Sequence, residues 1–248
     1  MTNSLGQYWR AVRQPRYSLP FALPLLMLYE LLAFSLSGDA TSGLRNGADV
    51  LVKTLFLALG GGRGLSLFAI LLFGVGAWLA LADRRRAGPL EPRWFLGMMA
   101  ESIVYASLLG GTTALLTSLI LSGGLPLAVS AAGVQLDLLT QITISLGAGI
   151  YEELVFRVLL ISGIGLLLRG VLGWHSRSSL LAAAIISALI FSAFHYVGPY
   201  GDSLELGSFT FRVVAGLLLS GLYLWRGLGI TAWTHACYDI GLAILGSF

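Results

Sequence analysis

Seven apolar runs, each long enough to cross a bilayer, decide what this chain can fold into. They fall at residues 18–36, 64–82, 95–121, 136–168, 179–197, 209–225 and 228–245. The hydrocarbon core is about 30 Å thick, so a helix of roughly 17 to 25 residues spans it. Backbone amides inside it have no water to bond and must be satisfied within helices or closed barrels. Continuous apolar runs of this length predict an all-α fold: a polytopic transmembrane helical bundle of about seven to eight spans. The composition agrees, with 56% hydrophobic and 11% charged residues and a mean hydropathy of +0.84. Two stretches are irregular. The run 136–168 is too long for one straight crossing, so it either tilts and protrudes or breaks at Gly147 and Gly149 into a short element followed by a second helix. The stretch 44–59 sets Arg45, Asp49 and Lys53 among apolar residues at helical spacing, as in an interfacial or partly buried helix.

Charge placement predicts orientation. The net charge is +3, but the chain has a single lysine and its arginines sit at the ends of apolar runs. That is a topology signal rather than a nucleic-acid footprint. If 44–59 does not cross, Arg10, Arg13, Arg16, Arg84, Arg85, Arg86, Arg93, Arg169, Arg177 and Arg226 all fall on one side. The N-terminus is then cytoplasmic and the C-terminus external. If 44–59 crosses, the Arg84 to Arg86 cluster is turned outward, so seven spans fit better than eight. The polar stretch 1–16 is followed by no small-residue cleavage site, so the first run reads as a retained span and the mature chain as the whole chain. One cysteine, Cys237, excludes an intrachain disulfide and any cysteine-rich metal site, and reads as an apolar packing residue. No internal repeat appears, which predicts one membrane domain.

Against this apolar background the polar residues stand out. Tyr151-Glu152-Glu153-Leu154-Val155-Phe156-Arg157 sets two acids and a base inside a spanning run. On insertion scales each such charge costs about 2.5 to 3.5 kcal/mol at mid-membrane, which makes it a functional candidate. Residues i and i+4 share a helix face, so Glu153 is expected to pair with Arg157, leaving Glu152 about 100° round the axis. The alternative is a purely structural ion-pair network. Two further spans carry Phe191-x-x-x-His195 and His235-x-x-x-Asp239, the latter also an i, i+4 pair. His175, between Trp174 and Arg177, reads as a solvated or interfacial loop residue. Three helices can thus contribute polar groups to one buried cavity.

The His-Glu-x-x-His and Gly-x-Ser-x-Gly templates are absent, as are rhomboid-like serine and presenilin-like Gly-x-Gly-Asp sites. Water activated by an acid remains: a carboxylate takes the proton, a histidine positions the water and a second polar pair stabilises the oxyanion. Two histidines and a glutamate could equally ligate zinc. Glu30 and Glu101, also in apolar runs, read as structural partners between helices, and Arg212 as a snorkelling side chain.

Glu152-Glu153-x-x-x-Arg157, Phe191-x-x-x-His195 and His235-x-x-x-Asp239, in that order on three of the C-terminal spans, resemble the CAAX protease and bacteriocin-processing family (CPBP, or ABI) of intramembrane glutamic endopeptidases. The resemblance covers about 136–248, which makes that part the catalytic helices and 1–135 the N-terminal transmembrane helices of one membrane domain. It implies a helical fold around a water-accessible conical cavity. It also implies that Glu152 and His195 activate water and that His235 and Asp239 form the oxyanion site, with Glu153, Arg157 and Phe191 in support and no metal or other cofactor. The family pattern often has Asn at the position of Asp239, and Asn donates a hydrogen bond where an ionised Asp cannot. Either Asp239 is protonated, or it orients His235 and the imidazole alone serves the oxyanion.

The resulting expectation is an endopeptidase, integral to a bacterial-type cell (inner) membrane, that cleaves a protein or peptide substrate in or near a membrane-embedded or C-terminal segment. Its partners are that substrate and the lipid bilayer, with no nucleic acid. Two competing readings are a non-catalytic scaffold or accessory protein of the same fold and a proton-coupled transporter that uses Glu152, Glu153 and Asp239 as a relay.

Overall fold

The computed structural model describes residues 4–37, 45–122, 136–198 and 201–246. Every regular element in them is helical. A short α1 (Ser4–Ala11) is followed by α2 (Pro15–Ser37), α3 (Gly47–Ala87), α4 (Arg93–Ser122), α5 (Leu138–Leu172), α6 (Ser176–Phe194), α7 (Leu206–Arg226) and α8 (Leu228–Leu245). Seven of these, α2 to α8, are long and apolar enough to cross a membrane, and the chain is an integral membrane protein.

The helices sort their residues by solvent. On α4, Ser102, Ala106, Leu109, Thr113 and Thr117 recur every three or four positions and are buried, whereas Leu96, Leu108 and Leu119 are exposed. Lipid tails accept leucine on the outside, so small and hydroxylated residues face neighbouring helices and let backbones approach. Two of the buried hydroxyls bond locally: Ser102 donates to the Met98 carbonyl and Thr113 to the Leu109 carbonyl. In α2, Pro20 and Pro24 interrupt the backbone ladder. Between them the Phe21 carbonyl accepts a bond from Trp233 Nε1 of α8 at 2.7 Å. α8 sits at the centre, packed against α2, α4, α5 and α7.

The stretch around 44–59 is buried on its charged side. Within α3 the chain reverses at Gly60 and Gly61, the latter with φ of 56°, a left-handed value that favours glycine. The reversal brings Phe56 and Phe68 into ring contact at 5.3 Å, although twelve residues of straight helix would hold them far apart. The first arm turns Asp49, Val52 and Lys53 inward and Leu51, Leu55 and Leu59 outward. Leu44 lies outside the described residues.

The long run 136–168 is one helix. Asp137 caps it, accepting the Thr140 N–H, and Gly173 in the left-handed region ends it. From Ala148 to Ile161 its turns widen to i→i+5 bonding, a rare geometry often found at functional sites. Gly147 and Gly149 are places of close approach, not breaks. A Cβ on Gly147 would fall 2.6 Å from the Tyr29 ring, and one on Gly149 would fall 2.6 Å from the Ala236 Cβ.

The arginine-bearing termini gather at one end of the bundle. Arg16 pairs with Asp83, the Tyr17 hydroxyl accepts the Glu91 N–H, and Arg226 donates to the Trp9 carbonyl.

Candidate active site

α5 carries both acids of the motif, and both are buried. Glu153 makes the expected i, i+4 pair: its Oε1 lies 3.1 Å from Arg157 Nη1, with neither side chain exposed. The same oxygen lies 2.7 Å from Nδ1 of His235, whose Nδ1–H donates to it. Glu153 therefore holds α5 to α8 and fixes the imidazole with Nε2 pointing away. That Nε2 is 4.0 Å from Oε2 of Glu152 and 3.5 Å from Oδ2 of Asp239. Both separations exceed an ordinary hydrogen bond. The orientation of His235 thus comes from Glu153, with Asp239 beside the ring and not bonded to it.

α6 completes the cluster. The Arg157 guanidinium lies 4.5 Å over the Phe191 ring, which packs edge-on against His195 at 4.8 Å and stands 6.2 Å from His235. A cation over a desolvated ring face is stabilised by the ring quadrupole, which gives Phe191 a supporting role for Arg157. His195 follows the last turn of α6, where its Nδ1–H donates to the Phe191 carbonyl at 2.8 Å and leaves Nε2 as an acceptor. Glu152 lies within electrostatic reach of His195, His235 and Arg157.

The structure therefore brings Glu152, Glu153, Arg157, Phe191, His195, His235 and Asp239 into one cluster from three helices. His175 is exposed just before α6. The open space beside α5 is apolar: a cavity of about 970 Å³ lined by residues that include Leu23, Leu26, Phe68, Leu72, Tyr151 and Leu154. This apolar space is not the buried polar cavity expected from the sequence, and the polar side chains of the cluster pack against one another. Among the described residues, no three His, Cys, Asp or Glu side chains gather at metal-ligating geometry.

Sequence reasoning missed one member of the site. Asn46, just before α3, places its Nδ2 2.8 Å from Oε1 of Glu152. An Asn-Gly step ahead of an apolar helix signals a cap, but nothing local names a partner 106 positions away. The other membrane acids are paired. Glu30 accepts from Lys53 Nζ at 2.8 and 3.1 Å and from the Tyr151 hydroxyl, and Asp49 is held by Arg45, Lys53 and Tyr29 at 2.7 Å each. Glu101 makes a two-pronged pair with Arg226 at 2.7 and 2.8 Å. Arg212 bonds the Tyr196 hydroxyl at 2.9 Å and pairs with Asp202.

Fold and site together define a class: a polytopic helical membrane protein whose central helices bury a cluster of acids and histidines. Residues 134–241 match the family model described as Rce1-like, type II CAAX prenyl endopeptidase, so the C-terminal part of the chain is similar to that family of CAAX-type intramembrane proteases. The matched segment contains all seven residues of the cluster. No curated protein and no solved structure matches the chain.

Proposed function

We propose that this protein is a glutamate-dependent intramembrane endopeptidase that hydrolyses a peptide bond in or near a membrane-embedded or C-terminal segment of its substrate. The observation that carries the reading is the 4.0 Å separation between Oε2 of Glu152 and Nε2 of His235. That is too long for a direct bond and matches the span of two hydrogen bonds, of about 2.8 Å each, to one shared oxygen. The gap leaves room for the reacting groups, with the base Glu152 on one side and the oxyanion donor His235 on the other.

In this mechanism Glu152 takes a proton from water as the water oxygen attacks the scissile carbonyl carbon. His195, its Nδ1–H given to the Phe191 carbonyl, accepts the water's second hydrogen at Nε2 and so aims a lone pair. The carbonyl π bond opens and negative charge moves to its oxygen. His235 donates to that oxygen through Nε2 when the ring carries both protons, its Nδ1–H remaining on Glu153. The intermediate collapses as the C–N bond breaks and Glu152 returns the proton to the leaving nitrogen. No metal takes part in these steps. Positive charge at the end shared by Arg16, Arg84, Arg85, Arg86 and Arg226 orients the N-terminus to the cytoplasm. The family's description extends the reading to substrates with a prenylated C-terminal cysteine motif.

The test is to compare membrane proteins from cells lacking the protein with those from cells carrying wild type or Glu152→Ala. An uncleaved precursor should accumulate in the deletion and in Glu152→Ala cells and be processed by wild type. Processing in Glu152→Ala cells would refute the assignment of Glu152 as the base.

A further inference from the structure

We infer that Asn46 is a positioning residue for Glu152, so that the N-terminal half of the chain supplies part of a site whose other members all lie in the family-matched segment. The inference rests on the reading of Glu152 as the base.

The argument starts from the two ends of one amide. Asn46 is the N-cap of α3, with extended backbone (φ −60°, ψ 138°), and its Oδ1 accepts the Ala48 N–H at 2.9 Å. An amide nitrogen cannot accept that bond, so the cap fixes which end is which. Nδ2 is left facing Oε1 of Glu152 at 2.8 Å, with the polarity a carboxylate requires. The cap thus decides the orientation of the donor, and the donor fixes one carboxylate oxygen and leaves Oε2 for the reaction.

The mount is rigid. The Asn46 backbone N–H donates to the Tyr29 hydroxyl at 3.2 Å, and Tyr29 donates to Asp49 one turn into the same helix. Asp49 is gripped by Arg45 and Lys53, and Lys53 reaches on to Glu30 of α2. The approach to α5 is possible because residue 147 is glycine: a Cβ there would sit 2.7 Å from the Asn46 Cβ. Together these contacts hold the start of α3 against α2 and α5, beside Glu152. A side chain needed merely as a cap would not have to be buried there, because a cap needs no second partner.

Two substitutions separate the two jobs. Asn46→Ser keeps a capping oxygen but loses the donor to Glu152, and Asn46→Ala loses both. Positioning predicts that both lower kcat on a farnesylated peptide ending in a CAAX motif by about 10- to 100-fold, with KM unchanged. Asn46→Ala should also melt at a lower temperature than Asn46→Ser. A cap alone predicts wild-type kcat in Asn46→Ser, which would overturn the inference.

A second measurement needs no substrate. Asn46→Asp sets two carboxylates against each other and should lower the melting temperature of the full chain in lipid nanodiscs. Adding Glu152→Gln restores a donor facing an acceptor and should recover most of that loss without restoring turnover. Additive shifts from the two substitutions would overturn the contact. Full activity in Glu152→Gln alone would instead refute the proposed chemistry, while the melting cycle still decides whether residues 46 and 152 are joined.

Discussion

Glu153→Gln is the substitution whose consequences the structure defines most sharply. Glu153 and Arg157 are both fully buried with 3.1 Å between Oε1 and Nη1. At an effective dielectric of about 20, unit charges at that separation attract by about 5 kcal/mol. The measured cost of stripping a buried ion of its partner is of the same size, about 3 to 5 kcal/mol, because the remaining charge keeps its desolvation penalty. Glu153 is the carboxylate that pairs directly with Arg157, which also lies over the Phe191 ring and within electrostatic reach of Glu152. Glutamine also weakens the bond from His235 Nδ1 by removing the acceptor's charge. For a chain of this length about 3 to 5 kcal/mol corresponds to a fall of roughly 6 to 20 °C in melting temperature. Glu152→Gln provides the contrast: Asn46 Nδ2 can still donate to the glutamine carbonyl, so the fold is retained while the proton acceptor is gone. Turnover should drop by at least about 10²-fold with little change in melting. Thermal unfolding of detergent-solubilised protein, followed by loss of helical circular dichroism, reads both variants. Adding Arg157→Met to Glu153→Gln removes the orphaned charge and should regain part of the stability. If Glu153→Gln melts with wild type, or Glu152→Gln melts as early as Glu153→Gln, the division of labour between the two acids is wrong.

Three other outcomes can be checked directly. A reporter that works only outside the cytoplasm, fused after Phe248, should be active, and a cytoplasmic signal there would place the arginine-rich end on the opposite side. Turnover should persist in a strong chelator, with substoichiometric zinc in the purified protein; loss of activity that zinc restores would make the site a metal centre. Asp239→Asn should keep kcat within a few-fold of wild type, because Asp239 stands 3.5 Å from His235 Nε2 without bonding it and an amide can donate there. A collapse of kcat in that variant would show that the carboxylate itself is needed.

Much of this protein is determined within single segments of its sequence. The spans at 95–121 and 228–245 could be read as they stand, because a bilayer demands about 20 consecutive apolar residues whatever the helix packs against. The pair Glu153 and Arg157 was legible for a similar reason: four positions of separation put both side chains on one helix face. The tertiary structure decided the rest. Gly147 and Gly149 look like helix breakers in isolation, yet they are the spots where Tyr29, Asn46 and Ala236 come too close for a side chain. Arg226 reads as a topology marker at the end of a span, but it is buried in a two-pronged pair with Glu101, 125 positions away. Lys53 and Arg45 read as belonging to an interfacial or partly buried helix, and only the tertiary structure shows that they turn inward to Glu30 and Asp49. Asn46 reads only as a cap until α3 is laid against α5. The physical reason is the same in each case. Periodicity along a helix reports which residues share its face, whereas the partner of a buried polar group is chosen by how helices distant in sequence meet, where lipid offers no alternative bond.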